Sequence, residues 1–127
     1  MEERIRFITH KGQAILLIDI SNCTAEQVAA AAELVPSFVA TQPRGSVLLL
    51  ADFTGSKFDR TAIDMLKKAT VFDRPHIKRS AWVGTESLPK VFYENLKSFS
   101  QRSLPTFQTR EEALDWLVEG TSANVAS

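Results

Sequence analysis

Val47-Leu48-Leu49-Leu50-Ala51 is an apolar run without alternation. It is too short for an ordinary helix, and a strand with one wet face would carry a polar residue at every second position. The run therefore predicts a central strand, buried on both sides, with helices packed on at least one face. A chain of 127 residues has room for one such domain. At this length roughly two-thirds of the unfolded surface can be buried, so the core needs no disulfide or metal.

The flanking segments supply the other layers. Arg4 to His10 alternates as a half-exposed strand does, and Ala14 to Asp19 is a second, more apolar strand. Lys11-Gly12-Gln13 between them predicts a β-hairpin. Thr24 and Gln27 form a capping box that opens an alanine-rich helix, with Val28, Ala32, Val35 and Val39 on one face. Pro36 is expected to kink or restart that helix. After the central strand, Asp59 caps a second helix with Ile63, Leu66 and Ala69 or Thr70 inward. Ile77 to Val83 reads as a strand with Ile77, Arg79, Ala81 and Val83 opposed to Lys78, Ser80 and Trp82. A third helix is expected over Leu88 to Phe99, then a short strand over Leu104 to Phe107. A last helix opens at a second capping box, Thr109 to Glu112. The order is β-β-α-β-α-β-α-β-α, an α/β fold with a single mixed sheet. Residues 1–120 form the domain and 121–127 a flexible tail.

Lysine plus arginine and aspartate plus glutamate each number 15, a net charge of zero. Bulk electrostatics thus gives no reason to expect a nucleic-acid partner. The single cysteine, Cys23, excludes an internal disulfide and fits a reducing compartment. The first residues are acidic and lack a signal-type apolar run. The longest apolar runs fall far short of the ~20 residues of a membrane-spanning helix. A cytoplasmic protein with no transmembrane segment is expected. The charge is uneven, however: residues 57–102 carry ten basic and five acidic side chains. One face of the second and third helices then either meets an acidic partner or anionic lipid surface, or is simply solvated.

Catalytic patterns are sparse. His10 and His76 lack metal-ligand spacing, and no Gly-x-Ser-x-Gly elbow occurs. Cys23 lies just before a helix N-cap, where a thiolate is favoured, but has no histidine near it in sequence. Asp19, Asp52 and Asp59 can converge at a sheet edge around a divalent cation, or serve as caps and turns. No catalytic residue, metal or cofactor is expected. Two other groups merit attention. Trp82, Phe92 and Tyr93 are either core or the lining of an apolar pocket. The segment after the central strand places Asp52, Thr54, Ser56, Lys57, Asp59, Arg60 and Thr61 where α/β sheets meet ligands and partners. Its backbone amides at a helix N-terminus can bind an anion. Equally, Asp52 can satisfy a turn and Asp59 a helix cap.

The hairpin, the helix and the buried strand running into Asp52-Phe53-Thr54-Gly55 and on to Phe58-Asp59 resemble the STAS domain of bacterial anti-sigma factor antagonists and sulfate-transporter tails. Phe107 to Leu117, FQTREEALDWL, is similar to the ending of short bacterial STAS-like proteins. The resemblance spans about Ile5 to Leu117 and implies a non-catalytic regulatory module that binds a protein partner. In anti-sigma antagonists an Asp-Ser pair opens the helix after the central strand, and the serine is phosphorylated. Here Asp59 matches the aspartate but Arg60 follows it, so the acceptor is missing at that position. Only Thr61 or Ser56 could take its role. Lipid-transfer domains of the CRAL-TRIO kind are topological cousins, which keeps a carrier or sensor of a lipid or other small apolar ligand as the alternative. A homodimer through a strand edge or helix face stays open.

Overall fold

The computed structural model describes residues 4–90, 94 and 105–126. The chain is a single mixed α/β domain. Strands β1 (Ile5–His10) and β2 (Gln13–Asp19) form the hairpin, followed by helix α1 (Ala25–Val39), β3 (Val47–Asp52), α2 (Arg60–Asp73), β4 (Ile77–Val83), β5 (Thr106–Phe107) and helix α3 (Arg110–Ala126). The expected helix over Leu88 to Phe99, with Phe92 and Tyr93, lies largely outside the described residues. The sheet order is β1-β2-β3-β4-β5. β1 pairs antiparallel with β2 and every later pair is parallel.

That order fixes the layers. Successive right-handed crossovers that always step in one direction leave their helices on one face of the sheet. α1 and α2 accordingly pack side by side over Leu16, Ile18, Leu49, Ala51 and Trp82. α3, which follows the last strand, covers the opposite face and buries Ala113, Leu117 and Val118 against Ile15, Leu17, Leu48, Leu50, Ala81 and Val83. β3 lies between the layers, bonded to β2 and β4, and all six of its residues are buried.

Local signals set the boundaries. In α1 the Gln27 amide donates to Thr24 Oγ1 at 3.2 Å and the Thr24 amide to Gln27 Oε1 at 2.9 Å, which closes the capping box. The helix runs through Pro36 to Val39 without restarting. In α2 the Asp59 carboxylate accepts from the Ala62 amide at 2.8 Å. At the start of α3 the Thr109 hydroxyl accepts from the Glu112 amide at 3.2 Å. α3 continues as helix to Ala126, beyond the Gly120 at which the sequence suggests that the domain ends. A lone glycine costs a helix only ~1 kcal/mol.

One sequence expectation is corrected. Ile77 pairs with Val47, but Arg79 pairs with Leu48, so Lys78 is an extra residue in a bulge. A bulge changes the alternation of faces. Ile77 therefore packs on the α1/α2 side, while Arg79 lies on the α3 side, its guanidinium 3.7 Å from the centre of the Trp116 ring. At the hairpin tip, His10 Nε2 lies 2.8 Å and Lys11 Nζ 3.2 Å from Asp115 Oδ1, tying the tip to α3.

Leu50 is fully buried in the middle of β3, beneath α3. Leu50→Ala is expected to lower stability by about 2–5 kcal/mol in urea unfolding, the usual range for a deleted core leucine. A loss below ~1 kcal/mol would place the strand at a water-facing position instead.

Candidate functional site

The carboxyl rim of the parallel strands is where the chain concentrates polar side chains. β2 ends in Asp19-Ile20-Ser21 and β3 in Asp52-Phe53-Thr54, two copies of one pattern. In each, a single carboxylate oxygen folds the chain into a turn. Asp19 Oδ1 accepts from the Ser21 amide at 3.1 Å and hydroxyl at 2.5 Å. Asp52 Oδ1 accepts from the Thr54 amide at 2.9 Å and hydroxyl at 2.7 Å. Short polar side chains make such turns because they reach the backbone two residues on.

Asp19 and Asp52 are register partners on adjacent strands. Parallel strands lie about 4.8 Å apart, so the two carboxylates stand side by side on the α3 face. Arg110, in the first turn of α3, spans them. Its Nε donates to Asp52 Oδ2 at 2.6 Å and its Nη2 lies 2.8 Å from Asp19 Oδ1. A cation at a helix N-terminus is opposed by the helix dipole; two carboxylates in a fork geometry offset that cost. Arg4 closes the cluster from the β1 side, donating to the Ser21 carbonyl at 3.0 Å and lying 3.9 Å from Asp19 Oδ1.

The electrostatics follow from this geometry. Burial pushes the Asp19 carboxyl up, but the Ser21 hydroxyl and amide, and then Arg110, outweigh it and hold the group below its ordinary value. Burial also pulls on Arg110, yet Asp52 and Asp19 more than compensate and keep it charged. The Cys23 thiol, buried beneath the rim, is pushed up by burial, with a smaller opposing pull from Arg4. It therefore stays a thiol, the unreactive form.

The sheet ladder continues past the strands and knits the rim loops together. Ile20 N donates to Asp52 O at 2.9 Å, Asn22 N to Thr54 O at 2.7 Å, Phe53 N to Val83 O at 2.8 Å and Lys57 N to Cys23 O at 2.9 Å. Gly84 and Gly55 make this close stacking possible. A Cβ on Gly84 would lie 2.3 Å from the Thr54 amide nitrogen, and one on Gly55 2.3 Å from Asn22 Oδ1. Both glycines also have positive φ, a conformation that costs other residues ~1–2 kcal/mol.

The sequence-derived residues divide accordingly. Asp52 is buried and engaged by Thr54 and Arg110. Ser56 is buried, its hydroxyl donating to the Phe53 carbonyl at 2.5 Å. Asp59 caps α2. Thr54, Lys57, Arg60 and Thr61 are exposed around the same loop. The amides of Thr54, Gly55, Ser56 and Lys57 all donate within the protein, to Asp52, Ser87, Phe53 and Cys23. Those four amides are thus taken, and at the start of α2 the Ala62 amide is taken by Asp59. Asp19 and Asp52 converge as the sequence allows, but Asp59 points to its own helix, and the cation between the pair is Arg110. Among the described residues no group of three or more histidine, cysteine and carboxylate side chains is placed to hold a metal.

Trp82 is buried, its ring 4.9 Å from that of Phe53. With Ile18, Leu49, Leu66 and Thr70 it lines an interior cavity of about 40 Å3. Its proposed companions Phe92 and Tyr93 lie outside the described residues. His10 and His76 sit near the amino ends of β2 and β4, across the sheet from the rim carboxylates. Sequence reasoning missed Arg110, Ser21 and Ser87. The repeated Asp-x-Ser/Thr after two apolar runs is the signal that could have exposed Ser21. No family model, curated protein or solved structure matches the chain.

Arg110→Met removes the cation and leaves the buried Asp52 carboxylate without it. The expected cost at neutral pH is about 1–3 kcal/mol, the range for a lost partner of a buried polar group. The Asp19 carboxyl titrates lower folded than unfolded. Its contribution is therefore present above the unfolded value near 4 and lost as pH falls through the folded value. The gap between wild type and variant should thus close on acidification in urea-unfolding series. A gap independent of pH would show that Arg110 acts through packing alone.

Proposed function

We propose that the protein is a STAS-like, non-catalytic regulatory module that binds a protein partner in the cytoplasm through the rim loop and the outer face of α2. The observation that carries this reading is the internal saturation of the rim. Its carboxylates, the amides of residues 54–57, the Thr54 hydroxyl and the glycines are committed to holding one loop shape, while Lys57, Arg60 and Thr61 project from it. A well-braced loop that offers exposed side chains suits surface recognition better than chemistry. The separation of both histidines from the rim carboxylates further favours recognition over acid–base catalysis.

Arg60 follows the capping Asp59, where the resemblance places a phosphorylatable serine. Arg60 carries no hydroxyl, so a serine-type phosphoester switch has no acceptor at that position. Ser56 is buried with its hydroxyl engaged, so of the two substitutes Thr61, exposed in the first turn of α2, is the accessible hydroxyl. The interior formed by the described residues gives the carrier alternative little support. The cavity beside Trp82, about 40 Å3, is far smaller than the ~300–1,000 Å3 of ordinary small-molecule sites. No helix among the described residues is long and apolar enough to cross a membrane.

Native mass spectrometry and affinity capture from the protein's own cells test the reading together. Wild type should retain a protein partner and carry no apolar small molecule. Arg60→Glu should reduce capture at least about tenfold, equivalent to ~1.4 kcal/mol, with the melting temperature nearly unchanged. Equal capture by the variant would remove the rim from the binding surface, and a co-purifying lipid would favour the carrier.

A further inference from the structure

The outer surface of the α1/α2 layer carries two patches of complementary shape and charge. One is a groove between the amino-terminal halves of the helices, floored by Ala25, Ala29, Ala30 and Met65 and flanked by Glu26, Glu33 and Asp59. The other is the carboxyl-terminal half of α2, where Phe72 and Val71 are 51% and 42% exposed beside Lys67 and Lys68. An exposed aromatic beside lysines, next to a small-residue groove edged with carboxylates, presents both halves of an interface on one chain.

Their arrangement on α2 supplies the symmetry. Thr61, Met65, Lys68 and Phe72 recur at the spacing of one helical stripe. The stripe begins in the groove at Thr61 and ends at the aromatic Phe72, eleven positions on, or about 16 Å along the axis at 1.5 Å per residue. A two-fold axis crossing α2 near its middle places Phe72 of one copy over Thr61 and the alanine floor of the other. Met65 then lies opposite Lys68, and the Lys67–Lys68 pair reaches Asp64 on the facing α2 and Glu33 on the neighbouring α1. Each contact occurs twice, the mark of a closed isologous pair. Ala25, Ala29 and Ala30 have the small side chains that let helices approach closely, and the antiparallel orientation sets opposite dipole ends together.

We infer that the α1/α2 face is the docking surface for a second copy of this chain, paired antiparallel through α2. The inference rests on reading the outer face of α2 as a recognition surface and names its occupant. A helix pair with one flanking groove falls below the ~1,600 Å2 of a standard interface, so the dimer is a reversible one that depends on concentration.

Sedimentation equilibrium of the full chain over a wide concentration series is the test. Wild type should shift from monomer to dimer as concentration rises. Phe72→Asp and Lys68→Glu should each raise the dissociation constant at least about tenfold with the melting temperature unchanged. Glu33→Lys added to Lys68→Glu should recover most of the loss. A chain monomeric throughout overturns the inference, as does a dimer indifferent to both substitutions or a loss that charge exchange fails to restore. The failures are separable from those of the functional reading. Capture of a partner unaffected by Arg60→Glu would displace the rim while leaving the dimer, and a strictly monomeric chain would remove the dimer while leaving the rim.

Discussion

Burial of β3 on both faces is the constraint from which the rest of the fold follows. Its six residues are all shielded from water, and its backbone is bonded to β2 on one side and β4 on the other. An apolar strand in that position requires a layer on each face. α1 and α2 provide one layer through crossovers of a single hand, and α3 provides the other only because the chain, once past β5, turns to the uncovered side. That turn brings the start of α3 to the carboxyl rim and sets Arg110 beside the two aspartates that end β2 and β3.

The Asp19–Arg110–Asp52 cluster joins three elements at one point. Charges in such a partly buried place contribute less net stability than their distances suggest, because each must shed water before it pairs. Their geometric consequence is plainer. Asp19 and Asp52 are paired residues across the β2/β3 ladder, so a guanidinium bridging both is satisfied by one register and one docking of α3. The same two carboxylates fold the rim turns through Ser21 and Thr54. The sheet register and the rim loops therefore share their supports. A substitution at Arg110 should disturb the loop around Thr54 although their side chains lie on different elements.

What the sequence shows, and what it hides, divides by range. The apolar run at Val47–Ala51, the capping box at Thr24–Gln27 and the cap at Asp59 are signals carried within a few residues, and each describes the structure correctly. The bulge at Lys78 leaves no comparable mark, because a lysine on an alternating strand reads equally well in or out of register. Arg110 is 58 positions from Asp52, and nothing local in Arg110-Glu111-Glu112 distinguishes a buried bridge from an ordinary solvated first turn. The loop residues Asp52, Ser56 and Asp59 were legible as polar positions near a helix start. That all three are committed, leaving Lys57, Arg60 and Thr61 outward, emerges only from the bonds they make with Thr54, Arg110, Phe53 and Ala62.

Native-state hydrogen exchange resolves whether β3 is the interior strand on which the layers and the rim depend. Amides from Leu48 to Asp52 should be among the slowest in the chain, exchanging only through global unfolding and with the free energy found by denaturant. Exchange of these amides at the rate of the outer strand β1, through local opening far below the global free energy, would contradict it.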